Sequence, residues 1–320
     1  MSYASATYQH NPVMTDQVEQ FLGLKTGEVF CDCTLGGAGH SILLGKRLGQ
    51  DGFLIGIDRD QYALAAARKR LSSELPDIRQ VVMHGNFADL DKLLLSLAIP
   101  GVDAFLFDLG TSSHQLDTQS RGFSYSQDGP LDMRMDAENT TLTAETIINT
   151  FSESDLASII QTYGEERFAY RIAKAIVRKR DTEPYTLTSQ LAETVRGAVP
   201  AAARRSGGNP AKRTFQALRI YINSELQAVE QGLEAALRWL NPGGRVVVLS
   251  YHSLEDRIVK QSFAQAAQAC ICPPDVTICV CGRQQRFDLL TKKPETPEQD
   301  EIQANPRSAS AKLRAITKRI

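Results

Sequence analysis

The sequence predicts an α/β fold, a parallel sheet with helices on both faces, interrupted by a long all-helical insertion. Three observations carry this expectation. Through roughly the first hundred residues, short apolar runs alternate with helix-like segments, as in successive strand–helix–strand units. A glycine-rich turn, Asp32-Cys33-Thr34-Leu35-Gly36-Gly37-Ala38-Gly39-His40, follows the apolar run Val29-Phe30-Cys31, and Ile55-Gly56-Ile57-Asp58 closes a second run roughly twenty residues later. Between a fourth strand ending at Phe107 and a fifth beginning at Arg245, the apolar spacing is helical.

Each element follows from its residues. Val29 to Cys33 and Phe53 to Ile57 read as the first two strands, linked by a helix over His40 to Leu48. Tyr62 to Leu71 is rich in alanine and places Leu64 and Leu71 on one helical face. Val81-Val82-Met83 is a third strand, running into His84-Gly85-Asn86-Phe87; Val102 to Phe107 is a fourth, running into Asp108-Leu109-Gly110-Thr111-Ser112-Ser113. In the helical stretch, Ser152 is placed to cap a helix ending at Gly164, and Phe168, Ile172 and Ile176 repeat at four-residue spacing on the next. Arg171, Lys174, Arg178 and Lys179 lie elsewhere on that helix. Pro200 to Pro210 is a loop containing Arg204 and Arg205. Phe215, Leu218, Ile222, Leu226, Val229, Leu233 and Leu237 then mark one long amphipathic helix whose latter half packs on the sheet. The turn Asn241-Pro242-Gly243-Gly244 precedes the fifth strand, and Arg286 to Leu290 with Ala311 to Ile316 forms a closing strand pair. The predicted organisation is a sheet domain from residues 1–114 and 213–320, with an inserted helical domain at 115–212.

At 320 residues the chain is long enough for a large domain plus a smaller one. No apolar run approaches the roughly twenty residues of a membrane span, and the segment Met1 to Pro12 has no signal-peptide core, so the expected location is cytoplasmic, with no membrane partner. The formal net charge of −1 argues against a polyanionic partner, but its distribution argues for one. From Glu165 to Arg219 there are twelve Lys and Arg against five Asp and Glu. A basic segment therefore sits on an acidic body, either to meet nucleic acid or as an ordinary solvated face.

Six cysteines fall into two groups, Cys31 with Cys33 and Cys270, Cys272, Cys279 and Cys281. The second group forms two Cys-x-Cys pairs, compatible with a tetrahedral zinc site but departing from the usual Cys-x-x-Cys spacing. A redox-sensitive loop and incidental cysteines in a hairpin are the alternatives, the last of them favoured, and no metal is assigned.

The glycines of residues 36–39 let the chain turn sharply off a strand and approach a ligand, while a carboxylate at the next strand's tip can accept two ribose hydroxyls. A tight turn binding nothing explains the glycines alone; Asp58 is what favours a nucleoside. No Lys-Ser or Lys-Thr follows the last glycine, which disfavours a triphosphate loop. The spacing also departs from the Gly-x-Gly-x-x-Gly fingerprint of nicotinamide-dependent oxidoreductases.

Longer motifs point to a family. These are Thr34 to His40, Asp58-Arg59-Asp60, Asp108 to Leu116, Arg121 to Ser124, Asp128 to Met135, Tyr163 to Phe168, Arg213 to Arg219 and Ser250 to Arg257. With them the chain resembles the class I methyltransferases that use S-adenosyl-L-methionine, and among them the small-subunit ribosomal RNA cytosine-N4 methyltransferase family. The resemblance covers nearly the whole chain. It implies a Rossmann-like methyltransferase sheet with an inserted helical RNA-recognition domain, methylation of N4 of a cytosine in the decoding region of 16S rRNA, and the small ribosomal subunit as partner. A homodimer stays open.

The resemblance further implies cofactor contacts at Ala38, Gly39, His40, Asp58, Phe87, Asp108 and Gln115. The Ala38 to His40 backbone would lie against the methionine part, Asp58 would take the ribose hydroxyls and Phe87 would cover the adenine. The alternative for Phe87 is an ordinary core aromatic, and for His40 a helix-start residue whose ring does nothing. A cytosine amine is a poor nucleophile because its lone pair is delocalised into the ring. Asp108, at the fourth strand's end, is the catalytic candidate, holding that amine, the cofactor's amino end, or both in turn. The agreement with amino-methyltransferases there is in position only, since the proline-aromatic part of their motif is absent. Ser112, Ser113, Tyr251 and His252 are second-rank candidates for which structural hydrogen bonding is the alternative. Methylation of another RNA or of protein, and a non-catalytic role in ribosome assembly, are the competing functions.

Overall fold

The computed structural model describes residues 12–204, 208–270, 272, 281–282 and 284–320. Arg205 and Cys279, and the side chain of Ser113, lie outside what is described.

Among the described residues seven strands form one sheet: β1 Val29–Asp32, β2 Phe53–Asp58, β3 Arg79–His84, β4 Val102–Asp108, β5 Leu240–Ser250, β6 Phe287–Leu289 and β7 Lys312–Lys318, in the order β3-β2-β1-β4-β5-β7-β6. The first five are parallel to one another, while β7 is antiparallel to both β5 and β6. β4 shows why such a strand has no polar face. Ala104, Phe105, Leu106 and Phe107 are all buried; Ala104 and Leu106 join the core on one side of the sheet, Phe105 and Phe107 that on the other. The Asn241-Pro242-Gly243-Gly244 turn is present as an excursion within β5, because the pairing with β4 jumps from Val102↔Leu240 to Ala104↔Arg245. The expected closing pair is β6 with β7.

The sheet unit comprises residues up to Gly110 and Leu226–Ile320. Its helices up to β4 are α1 Thr15–Leu22, α2 Gly39–Gly45, α3 Gln61–Glu74 and α4 Leu90–Ser96. Of these, α1 and α4 are too short to stand out by periodicity, and neither is expected from the sequence.

The second unit, Thr111–Glu225, is helical and has its own apolar core. It holds α5 Ser113–Asp117, α6 Ala144–Thr150, α7 Glu153–Gly164, α8 Ala169–Arg180, α9 Thr188–Ala198, α10 Ala201–Arg204 and α11 Ala211–Asn223. Ser152 caps α7 as expected, its hydroxyl accepting from the Asp155 N–H at 3.1 Å. The motifs at residues 128–135 and 213–219 belong to this unit. Asn223 donates to the Met133 carbonyl and accepts from the Met135 N–H, both at 2.8 Å, while Arg134 forms a two-point ion pair with Asp132. Arg219 grips Glu225 through Nε at 2.9 Å and Nη2 at 2.8 Å, with both side chains largely buried.

The long helix expected over Phe215 to Leu237 is two helices. Ser224, at φ 48°, ends α11, and α12 Glu225–Trp239 begins at once. The apolar spacing is unbroken across this point because each half buries a stripe, Phe215, Leu218 and Ile222 in the helical core and Val229 and Leu233 against the sheet. The helical unit accordingly takes in α11, which the expected boundary at 212 left with the sheet. Two further helices, α13 Ser253–Ala266 and α14 Gln299–Ala304, return to the sheet unit. Among the described residues no helix is long and apolar enough to cross a membrane.

Candidate active site

The direction of chain winding reverses between β1 and β4, since β1 leads outward to β2 and β3 while β4 leads the other way to β5. In open α/β sheets the ligand crevice lies at the carboxyl ends of the strands at such a switch point. Three of those strand ends carry the same residue: Asp32 closes β1, Asp58 closes β2 and Asp108 closes β4.

Asp32 organises the glycine-rich turn. Its Oδ1 accepts from the Thr34 N–H at 3.1 Å and its Oδ2 from the Ser41 hydroxyl at 2.6 Å, so one buried carboxylate ties the start of the turn to α2. Thr34 in turn accepts the Asp108 N–H at 2.7 Å, linking the turn to β4. Gly36 and Ala38 have φ of 50° and 63°, which bend the chain into α2; for Gly36 this costs little, for Ala38 it is strain. Ala38 is fully buried and caps α2, whose first residues are Gly39 and His40. Arg70 donates to the Gly37 carbonyl at 2.6 Å from α3.

Asp58 is held on both oxygens, Oδ2 accepting from Gly36 N–H at 2.7 Å and Oδ1 from Asp60 N–H at 2.8 Å. The same carboxylate thus fixes the turn and stays half-buried at the strand tip. Asp108 accepts the Tyr251 hydroxyl on Oδ1 at 2.7 Å, and its Oδ2 lies 3.7 Å from His40 Nε2. The His40 ring therefore faces a carboxylate, which a helix-start role by itself does not require. Tyr251 is positioned from its own end, because its backbone N–H and that of His252 donate to Glu255 Oε2 at the start of α13.

The electrostatics follow from three carboxylates gathered in a desolvated place. Burial pushes Asp32 and Asp58 each up to about 6, and pushes Asp108 up to about 7. For Asp108 the Tyr251 hydrogen bond works the other way, and the charges of Asp32 and Glu255 raise it further. Burial also lifts the Tyr251 phenol well above its ordinary value, so it stays a hydrogen-bond donor. Cys33, beside the turn, is held as a thiol by burial, which leaves no reactive thiolate there.

Phe87 follows β3 and sits half-buried, edge-on to Phe107 with ring centroids 5.6 Å apart. Gly232 on α12 leaves the room its ring needs, since a methyl there would stand 2.7 Å from Phe87 Cδ2. Gln115 belongs to the helical unit, where it completes a reciprocal cap on α5: its side-chain oxygen accepts from Ser112 N–H and its own N–H donates to Ser112 Oγ, both at 3.2 Å. Ser112 has the structural role the sequence allowed. His252 likewise caps α13, its Nδ1 accepting from Glu255 N–H at 3.3 Å.

The sheet unit thus brings together Ala38, Gly39, His40, Asp58 and Asp108. Asp32, Ser41 and Glu255 were not among the expected site residues, and Tyr251 stood only in second rank. The donor chemistry suits S-adenosyl-L-methionine. Residues 32–40 include no Lys or Arg to hold a phosphate, whereas carboxylates that act on one another, Asp58 raising Asp32 and Asp32 raising Asp108, suit a ligand that carries a sulfonium, an ammonium and ribose hydroxyls.

Comparison with known proteins agrees along the whole chain. Ribosomal RNA small subunit methyltransferase H of Symbiobacterium thermophilum is 48% identical over 97% of this chain and 97% of its own length. The proteins of the same name from Geobacter sp. strain M21 and Syntrophotalea carbinolica are 49% and 50% identical, each over 97% of this chain and 99% and 98% of their own lengths. With residues 7–319 matching the MraW methylase family, this chain belongs to that family.

Proposed function

We propose that this chain transfers the methyl group of S-adenosyl-L-methionine to N4 of a cytosine in the decoding region of 16S rRNA, acting on the small ribosomal subunit. Methyl transfer from S-adenosyl-L-methionine is the chemistry of its family. The observation that carries the substrate reading is the near 50% identity, over almost full length, to relatives named for the small-subunit RNA. In this reading Ala38, Gly39 and His40 line the methionine part, Asp58 accepts the ribose hydroxyls and Phe87 borders the adenine. Asp108 accepts hydrogen bonds from the target amine or the cofactor's ammonium. The sulfonium already supplies a good leaving group, so the protein's task is in-line placement of amine and methyl. Labelled methyl transfer to small subunits, naked rRNA and protein in parallel tests the substrate, with digestion of the labelled RNA to nucleosides. Label in N4-methylcytidine is the expected result; label confined to protein or to another base overturns it.

Asp58→Ala should weaken S-adenosyl-L-methionine binding by about 1–3 kcal/mol, because two hydroxyls lose a charged acceptor and the Gly36 and Asp60 N–H groups lose theirs. Calorimetry on a folded variant with unchanged affinity would remove Asp58 from the site.

The helical unit is the RNA-recognition element in this proposal. Arg171, Lys174 and Arg178 are exposed and recur at three- and four-residue spacing on α8, which puts them on one face, and Arg204 and Lys212 are exposed as well. Arg213 is less suited to the task, since its Nη1 donates to the Glu165 carbonyl at 3.1 Å beyond the end of α7. Reversing Arg171, Lys174 and Arg178 to Glu should cut RNA affinity at least about tenfold and flatten its dependence on the logarithm of salt by about two, leaving cofactor affinity unchanged. Equal salt slopes for variant and wild type would reduce the stripe to a solvated face.

A further inference from the structure

Three cysteines converge between the end of α13 and the start of β6. The sulfurs of Cys270, Cys272 and Cys281 all lie within 4.8 Å of one another, and all three side chains are half-buried. Cys270 and Cys281 stand 3.8 Å apart at sulfur, and the Cys272 N–H donates to the Cys270 sulfur at 3.4 Å.

The distances discriminate between uses of such a cluster. A disulfide requires sulfurs at about 2.05 Å. Two sulfurs on one tetrahedral zinc ion, each bonded at about 2.3 Å, stand about 3.8 Å apart. An N–H donated to sulfur favours the thiolate over the thiol, as a metal ligand requires. Separation alone does not suffice, because Cys31 and Cys33 are also 3.8 Å apart at sulfur. That pair is fully buried in the apolar core, burial holds Cys33 protonated, and among the described residues no third ligand group joins it. At Cys270, Cys272 and Cys281 there are three sulfurs, partial access to solvent and a donated N–H.

We propose that Cys270, Cys272 and Cys281 bind one zinc ion. Binding displaces the thiol protons to solvent and leaves the zinc oxidation state unchanged. The soft thiolate set selects zinc over magnesium or calcium, and the fourth coordination position falls outside the three described thiols. The ion would fasten the long connection from Ala266 to Phe287, in which no helix or strand occurs among the described residues. The site shares no residue with the candidate active site, and the proposal does not rest on the methylation reaction.

The test uses the full chain, purified without a histidine tag and freed of loosely held metal. Elemental analysis should find about one zinc per chain, and exchange with cobalt should produce the intense sulfur-to-cobalt charge-transfer absorption of thiolate ligation. The double substitution Cys270→Ser with Cys281→Ser should lower zinc content at least about tenfold, while Cys31→Ser with Cys33→Ser should leave it unchanged. The cobalt spectrum is read on the wild type, so it does not depend on the variants folding. A folded wild-type chain that takes up cobalt without the thiolate band, a Cys270–Cys281 disulfide in freshly isolated protein, or zinc retained by the Cys270/Cys281 variant each overturns the proposal.

Discussion

Replacing Asp108 by alanine is expected to lower the single-turnover rate of methyl transfer by about two orders of magnitude or more, with both substrates saturating. That corresponds to about 2.7 kcal/mol in the barrier. The carboxylate ends β4 at the switch point of the sheet, with one oxygen taken by the Tyr251 hydroxyl and the other 3.7 Å from His40 Nε2. Positioning of this kind is lost entirely in alanine. Asp108→Asn should be milder, because the amide oxygen still accepts a hydrogen bond. The competing role, a carboxylate that only satisfies Tyr251 and so stabilises the strand end, predicts a loss of stability in place of a loss of rate. The electrostatics argue against it. Asp108 titrates near 7 in the folded chain, so above that pH its charge is held at a cost, and removing the charge with Asn should keep or raise the melting temperature. Tyr251→Phe supplies the control, since it removes the hydroxyl and leaves the carboxylate. A folded, saturated Asp108→Ala protein that turns over near the wild-type rate would end the catalytic assignment.

Much of this site was legible in the sequence because its signals are local. A strand, a glycine turn and a helix start are contiguous at residues 29–40, and Asp58 lies at the end of the next apolar run. Asp32 was written in the same way, as the polar residue closing an apolar run, and the match of Phe-Cys-Asp32, Gly-Ile-Asp58 and Leu-Phe-Asp108 as three strand tips was the available sign. In the sequence Asp32 reads instead as the first residue of the turn, and its buried hydrogen bond to Ser41 connects positions whose pairing depends on how the turn bends. Tyr251 is harder. Its hydroxyl meets Asp108 across 143 positions of sequence, and only the parallel pairing of β4 with β5 brings the two strand ends side by side. The break at Ser224 was hidden for a different reason, in that the apolar stripe continues through it while the partner surface changes from the helical core to the sheet.

The second large effect concerns pH, and it has opposite signs for affinity and stability. In the ligand-free chain Asp32 and Asp58 titrate near 6 and Asp108 near 7, all raised by burial from 3.8. A ligand carrying positive charge binds the ionised forms best, so protons leave as it binds. Affinity for S-adenosyl-L-methionine should therefore fall as pH drops from 7.5 to 5.5, by about tenfold per pH unit for each carboxylate that must ionise. Stability runs the other way. Between about 4 and 7 the folded chain holds protons on these groups that the unfolded chain has released, so their contribution favours the fold at low pH and is lost as pH rises through 6 to 7. S-adenosylhomocysteine, which lacks the sulfonium charge, should show a shallower affinity profile than S-adenosyl-L-methionine, and Asp108→Asn should flatten the profile of the latter. Calorimetric titrations at several pH values, paired with thermal melts of the ligand-free chain, measure both signs on one preparation. An affinity constant that stays flat from pH 5.5 to 7.5, or a profile that Asp108→Asn leaves untouched, would mean that these carboxylates shape the glycine turn without meeting the charged end of the ligand.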